Sequence, residues 1–411
     1  MKLNTKLLHG ANKGYADGAT LPPVYQSSAF AHESAESLEG VFSGKNALFS
    51  YTRVGNPTVA AFETRIAEIE GGVSAVACAS GMAAISTALL NILESGDEII
   101  AGSGLFGGTL DLFGDFQKFG INTRFLNSVT ADAVRNAITD KTKVIFTELI
   151  GNPKLDVVDI AAVSKIASEH HIPLIIDSTT ATPALIRPLD FGADIVVHSS
   201  SKYINGSGNA ISGVIVDGGK FDWDFEKVLT KYKQFGKLAY TARLRSDLWR
   251  NFGACLAPQN AYLNCVGLET LGIRMERQCE NALKLAQELA QNKDIQVNYP
   301  SLSEYKPLID AQMNGERGGA ILTLRAGSKE RAFKFINSLK YAKIATNIGD
   351  ARTLVIHPAS TIYAHSSAEQ KENAGVYDDL IRVSVGLEDI EDLREDFAFA
   401  ADGLRRLSNG G

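Results

Sequence analysis

The 411-residue chain carries 41 Lys and Arg against 47 Asp and Glu, a formal charge of −6, with 45% apolar and 21% charged residues. That length exceeds what one core usually supports, so two domains with room for a large core are expected. The acidic balance without a long basic run argues against nucleic acid or an anionic membrane as the main partner, and no apolar stretch approaches the roughly 18 residues of a membrane span.

The opening "MKLNTKLLHG" lacks the apolar region of a secretory leader, so the expected compartment is the cytoplasm. Residues 1–60 hold turn-forming stretches such as "GATLPPVYQSS" and "GNP" and read as an extended arm. From 61 to 255 helical and strand patterns alternate. Helix "TVAAFETRIAEIEG" is followed by strand "SAVACAS", helix "GMAAISTALLNILESG", strand "DEIIAG", helix "TLDLFGDFQKFG" and strand "NTRFLN". Strand "KVIFTEL", helix "DIAAVSKIASEH" and strands "IPLIIDS", "DIVVHSS" and "AISGVIVDG" complete the series. Strands apolar throughout, separated by amphipathic helices, mark a mostly parallel sheet covered on both faces, with its ligand at the strands' carboxyl ends. Residues 256–411 begin with one long helical run, "NAYLNCVGLETLGIRMERQCENALKLAQELAQ", then shorter strands and a final helix, which reads as a smaller C-terminal α/β domain.

Cys78, Cys255, Cys265 and Cys279 show no CxxC spacing and read as small buried hydrophobes. The seven histidines are scattered, and the adjacent pair His170 and His171 is poorly placed to share one ion, so no metal is expected.

Three strand ends carry chemistry. "SAVACAS" runs into a helix at Ser80-Gly81-Met82, where exposed N–H groups and a partial positive charge suit a phosphate. "IPLIIDS" ends in Asp177, a carboxylate that needs a cation or several donors if buried. "DIVVHSSSKYINGSGN" ends in Lys202, with Ser199 and Ser201 beside it as donors and Ser200 pointing the other way. Each feature alone reads more simply as a cap or a turn. Together they are what pyridoxal phosphate needs: an anion cup, an acid for the ring nitrogen and an amine for the aldehyde.

A rival lies in "GSGLFG", which sets Gly102, Gly104 and Gly107 between a strand and a helix as in a dinucleotide fingerprint. The following strand ends in Asn127 and Ser128 rather than the acid that would hold a ribose, and a nicotinamide oxidoreductase leaves Lys202 unexplained.

Eight stretches, "SYTRVGNPT" (50–58), "ASGMAAI" (79–85), "GNPKLDVVDI" (151–160), "VVHSSSKYI" (196–204), "GACLAPQNAYL" (253–263), "GLETLGIRMERQCENA" (267–282), "IHPASTIYAH" (356–365) and "IRVSVGLED" (381–389), together resemble the Cys/Met-metabolism (trans-sulfuration) family of PLP enzymes. The resemblance runs in order over nearly the whole chain. It implies the aspartate-aminotransferase-like architecture, PLP fold type I. "GGKFDW" (218–223) and "NIGDARTLVIHPAS" (347–360) are most similar to the branch acting on O-acetylhomoserine with a sulfur nucleophile, either sulfide or a sulfur-carrier protein. The neighbouring activities are those of methionine γ-lyase and cystathionine γ-synthase, and a weakly catalytic PLP-holding protein is a further alternative.

Carried over by position, the resemblance implies that Lys202 attaches the cofactor, that Asp177 pairs with its ring nitrogen and that Ser80, Gly81, Met82, Ser199 and Ser201 hold its phosphate. Phe106 stacks on the ring and Asn152 bonds its phenolic oxygen. Arg382 clamps the substrate carboxylate, with Asn347 and Asn152 beside it. Tyr51 and Arg53 would reach the phosphate of a neighbouring subunit, in a homotetramer built from dimers that share active sites. Two residues depart from the family pattern: Phe106 replaces a tyrosine, keeping the stacking face but not the hydroxyl, and Ser207 replaces a histidine.

Overall fold

Seven strands build the larger sheet: β1 (Ser74–Cys78), β2 (Glu98–Gly102), β3 (Asn122–Leu126), β4 (Thr142–Glu148), β5 (Leu174–Asp177), β6 (Ile195–His198) and β7 (Gly213–Asp217). They belong to a computed structural model that describes residues 1–11, 14–313 and 317–408. The strand order is β1-β7-β6-β5-β4-β2-β3. All neighbours run parallel except at β7, which is antiparallel to both β1 and β6. The link between β6 and β7, residues 199–212, contains no helix, and a parallel return usually needs a helical crossover. Strands β5, β6 and β7 are buried at every residue, as expected for a sheet covered on both faces. Edge strand β3 departs from the apolar-throughout expectation, with Asn122, Arg124 and Phe125 exposed.

Register places the chemistry. Glu148 pairs with Asp177 across β4 and β5, and Asp177 pairs with Val197 across β5 and β6. The parallel strands therefore deliver Glu148, Asp177 and the serine run after His198 to one edge of the sheet.

Beyond the alternating pattern the chain adds short helices. Ala131–Ala137 sits between β3 and β4, capped by the Thr130 hydroxyl, which accepts from the Ala133 N–H at 3.2 Å. Lys227–Leu238, Ala239–Ser246 and Leu248–Phe252 follow β7. Their polar sequence hides them, yet Tyr240 and Trp249 are among the largest fully buried side chains. The long helical run is two helices, Pro258–Glu269 and Leu271–Leu289, meeting at Thr270. Buried Arg274 from the second donates to the carbonyls of Tyr203 and Gly267, both at 2.7 Å, so this junction ties down the segment after Lys202. The arm is not extended throughout: it contains helices Leu3–His9 and Ala35–Phe42.

The smaller sheet comprises β8 (Gln296–Asn298), β9 (Ile321–Arg325), β10 (Lys343–Ile344), β11 (Leu354–Ile356) and β12 (Leu380–Ser384), in the order β10-β11-β12-β9-β8. Central strand β12 carries Arg382. Leu285, Leu289, Phe335, Leu393 and Phe397 from three helices bury one face of this sheet.

Candidate active site

At the carboxyl edge of β4, β5 and β6 lies a cavity of about 220 Å³, walled by both sheets. Ser80, Gly81, Met82, Phe106, Asn152, Asp177, Ser199, Ser201, Lys202 and Arg382 all reach it.

Helix Gly81–Leu90 starts at the cavity, capped by Ser80, whose hydroxyl accepts from the Ala83 N–H at 3.0 Å. The first N–H groups of that helix have no carbonyl within the helix and suit an anion. Glycine is needed at 81 because a Cβ there would lie 2.6 Å from that of Ser199. The helix start and the end of β6 are thereby pressed into one cup.

The three serines divide their work. Ser199 lies on the cavity wall, its N–H donating to the Thr179 hydroxyl at 2.8 Å. Ser200 is fully buried and turned away, donating to the Ser212 hydroxyl at 2.8 Å. Ser201 reaches the wall, but its hydroxyl donates to the Ser212 carbonyl and accepts the Ser212 N–H, both at 2.8 Å. To serve an anion it must turn from that carbonyl.

Lys202 points its amine at the Asn347 side-chain oxygen, 2.5 Å away. Burial, helped by the Arg382 charge, pushes the amine down to about 8. Arg382 is 3% exposed and donates to the Asn152 side-chain oxygen at 3.2 Å and the Asn347 carbonyl at 3.1 Å. Its Nε has no partner among the described residues, and burial lowers the guanidinium to about 10. With its oxygen turned to Arg382, Asn152 keeps its amide N–H groups for a ligand. The Asp177 carboxyl accepts the Thr179 N–H at 2.9 Å. Burial pushes it up, while Thr179 and nearby His198 pull it down. A cation arriving beside Asp177 would relieve that burial cost.

Asn347 does not line the cavity but touches it through Lys202 and Arg382, while its neighbours Thr346 and Ile348 form the wall. Tyr51 and Arg53 are not at this cavity. Tyr51 is 45% exposed, and Arg53 lies over its ring and donates to the Arg250 carbonyl at 2.8 Å. The glycines of "GSGLFG" serve packing within the chain: a Cβ at Gly104 would meet Asp156 at 2.9 Å and one at Gly107 the Ile362 carbonyl at 2.7 Å. Ser207 is exposed between Gly206 and Gly208, both at positive φ, its N–H held by the Asn205 side chain at 3.1 Å.

The cavity also holds Glu148, Thr109, Thr179 and Thr180, which the sequence reading passed over. Glu148 was open to discovery by the argument applied to Asp177, since both are acids closing an apolar strand. Among the described residues no cluster of three His, Cys, Asp or Glu could hold a metal, and no helix is long and apolar enough to cross a membrane.

The residues fit one group. A buried arginine without a carboxylate partner among the described residues, a buried acid, a depressed lysine and a helix start suit an anionic pyridine aldehyde with an amino acid beside it. The sequence pattern of the Cys/Met metabolism PLP-dependent enzymes matches residues 4–402. The chain belongs to this family. Its cofactor is pyridoxal phosphate. An O-acetyl-L-homoserine sulfhydrylase of Leptospira meyeri is 41% identical, covering 98% of this chain and 97% of the relative. An L-methionine gamma-lyase of Fusobacterium nucleatum subsp. polymorphum is 37% identical, with 98% of each covered. A crystal structure described as an O-acetylhomoserine (thiol)-lyase of Campylobacter jejuni, carrying a pyridoxyl-lysine monophosphate, superposes with a TM-score of 0.93 at 33% identity, covering 98% of this chain and all of that one. The Cys/Met-metabolism fold, PLP fold type I with its mostly parallel sheet, is thus the architecture of this chain.

Proposed function

We propose that this enzyme catalyses γ-replacement on O-acetyl-L-homoserine, joining a sulfur nucleophile to Cγ and releasing acetate, so that sulfide yields L-homocysteine for methionine biosynthesis. The observation that carries the reading is Arg382, a buried guanidinium with no carboxylate partner among the described residues, lining the same cavity as Lys202. Its forked donors suit an α-carboxylate.

Pyridoxal phosphate, when bound, offers an aldehyde to an amine and a ring that draws electrons from the attached carbon. Ser80, Gly81, Met82 and Ser199, with Ser201 once turned, hold its phosphate. Asp177 keeps a proton on the ring nitrogen, Asn152 donates to the phenolic oxygen and Phe106 covers the ring. Arg382 and Asn347 fix the substrate carboxylate. Lys202 then stands where it can take the Cα proton and later the Cβ proton. An amine held near 8 is neutral often enough near neutrality to act as a base. As Cβ loses its proton, the Cγ–O bond breaks and acetate leaves with the bonding pair; the sulfur nucleophile then adds at Cγ, and protons are returned to Cβ and Cα from the Lys202 amine.

Sulfur-lyase chemistry and cystathionine γ-synthesis use similar residues, and relatives with the lyase name lie close in identity. Phe106, lacking a hydroxyl on the stacking wall, favours the replacement reaction. The reading includes Tyr51 and Arg53 completing a neighbouring subunit's phosphate site in a cytoplasmic homotetramer built from dimers. It also includes a division into an arm (1–60), a PLP-binding domain (61–255) and a C-terminal domain (256–411).

The test is direct. The purified protein is expected to be yellow, with Lys202→Ala losing the chromophore's native band, and O-acetylhomoserine with sulfide is expected to yield homocysteine and acetate. A protein that stays colourless with added pyridoxal phosphate overturns the site. Keto acid from methionine alone, without homocysteine from the first mixture, replaces the reading with the lyase.

A further inference from the structure

Two buried carboxyls stand side by side in the cavity. Glu148 and Asp177 are in-register neighbours on parallel strands, so their side chains leave the sheet on the same face. They are 8% and 7% exposed, and neither makes an ion pair with Lys, Arg or His among the described residues. Two unpaired charges this close cannot both persist in a dry site.

Glu148 is committed elsewhere. Its Oε1 accepts the Phe106 N–H at 2.6 Å. Phe106 is the cap of helix Gly107–Gln117 and makes no side-chain cap bond of its own. At the third position of a helix, a polar side chain can turn back to the N–H of the cap residue, and Thr109 occupies that position here. Its hydroxyl, 1% exposed, has no partner among the described residues, since Glu148 accepts that N–H from a neighbouring strand. The helix carrying the Phe106 wall is therefore pinned to β4, and hence to the strand beside Asp177, through one carboxyl oxygen.

We propose that Glu148 is a positioning residue that works as a neutral carboxylic acid, anchoring the Phe106 wall to the sheet while leaving Asp177 as the single charged acid facing the cofactor. Burial and the adjoining Asp177 charge hold the Glu148 carboxyl well above the carboxylate range, against the N–H groups of Phe106 and Asn152. Asp156 also raises it, and Tyr363 is the further titratable group that senses it.

The proposal rests on the cofactor site described above, and its test separates the two. In the intact protein at pH 7, infrared difference spectra between wild type and Glu148→Gln are expected to show loss of a protonated carboxyl band. That readout needs no cofactor. In reconstitution followed by absorbance, Glu148→Ala is expected to weaken pyridoxal phosphate binding about tenfold, the scale of one hydrogen bond to a buried group, and Glu148→Gln to restore it to within about threefold of wild type. Loss of an ionised-carboxylate band instead, or a Gln variant as weak as the Ala variant, overturns the proposal. Wild-type protein that binds no pyridoxal phosphate overturns the cofactor site, whichever carboxyl band is lost.

Discussion

Lys202 shows how little one residue says alone. A lysine after a strand is ordinarily a solvated turn, and its meaning came from two other strand ends: Asp177 and the helix start at Ser80. The same logic applied to Glu148 would have found it, but an acid inside "KVIFTEL" carries no second cue, and its bond to Phe106 spans 42 positions. Burial of Lys202 has a thermodynamic consequence. Its amine stands at about 8 in the fold and at 10.5 when unperturbed. Between those values the unfolded chain binds more protons than the native one, so this group makes stability rise with pH in that window, and below about 8 the cost of burying the charge is borne in full. In the cofactor-free protein Lys202→Met is therefore expected to be more stable than wild type at pH 7, with the difference shrinking toward pH 10. Urea denaturation of both proteins across that range checks it. A difference that stays constant, or that grows with pH, would show that the buried amine carries no such cost.

At the scale of elements, the strands of the larger sheet were legible because buried parallel strands are written as continuous apolar runs. The helices after β7 were not, since "KVLTKYKQFGKL" and "AYTARLRS" intersperse their buried Leu229, Tyr232, Ala239, Tyr240, Thr241 and Leu244 with Lys and Arg. The split of the long helical run at Thr270 was equally hidden: its cause is tertiary, the close seat of Gly267 on the Ile204 and Asn205 carbonyls and the Arg274 bonds beside it. The contact between the Gly81 helix and β6 is of this kind too, and it makes a sharp prediction. In Gly81→Ala the added methyl would lie 2.6 Å from the Ser199 Cβ and 3.0 Å from its Cα, so two rigid elements must part. Overpacking of this sort costs about 1–3 kcal/mol, and here the displaced atoms are also those proposed to cup the phosphate. Urea denaturation should show that loss, and cofactor titration a weaker site. Unchanged values for both would mean that helix and strand are free to separate, against the packing described above.

For the molecule as a whole, sequence periodicity separated an alternating α/β region from a second, smaller one. It could not say where the arm goes, because a turn-rich segment carries no period that reports what it packs against. Tyr51 and Arg53, which the resemblance assigns to a neighbouring subunit's phosphate, lie outside their own chain's cavity, with Tyr51 half-exposed and Arg53 spending one donor on a backbone carbonyl. A residue of a shared site should look like this in a single subunit: polar, accessible, and outside the cavity of its own chain. Sharing between two subunits has an arithmetic signature, because a closed two-fold pair exchanges equivalent surfaces. A Lys202→Ala chain and an Arg53→Ala chain are each expected to be nearly inactive alone. In a hybrid dimer one of the two sites combines both defects and the other combines neither. Unfolding and refolding an equal mixture makes about half the dimers hybrid, so about a quarter of wild-type activity should return. Recovery to that level places Arg53 across the subunit boundary from Lys202. If the mixture shows no more than the mean of the two parent activities, while sedimentation confirms that hybrids form, both residues serve one chain's site and the arm has another task.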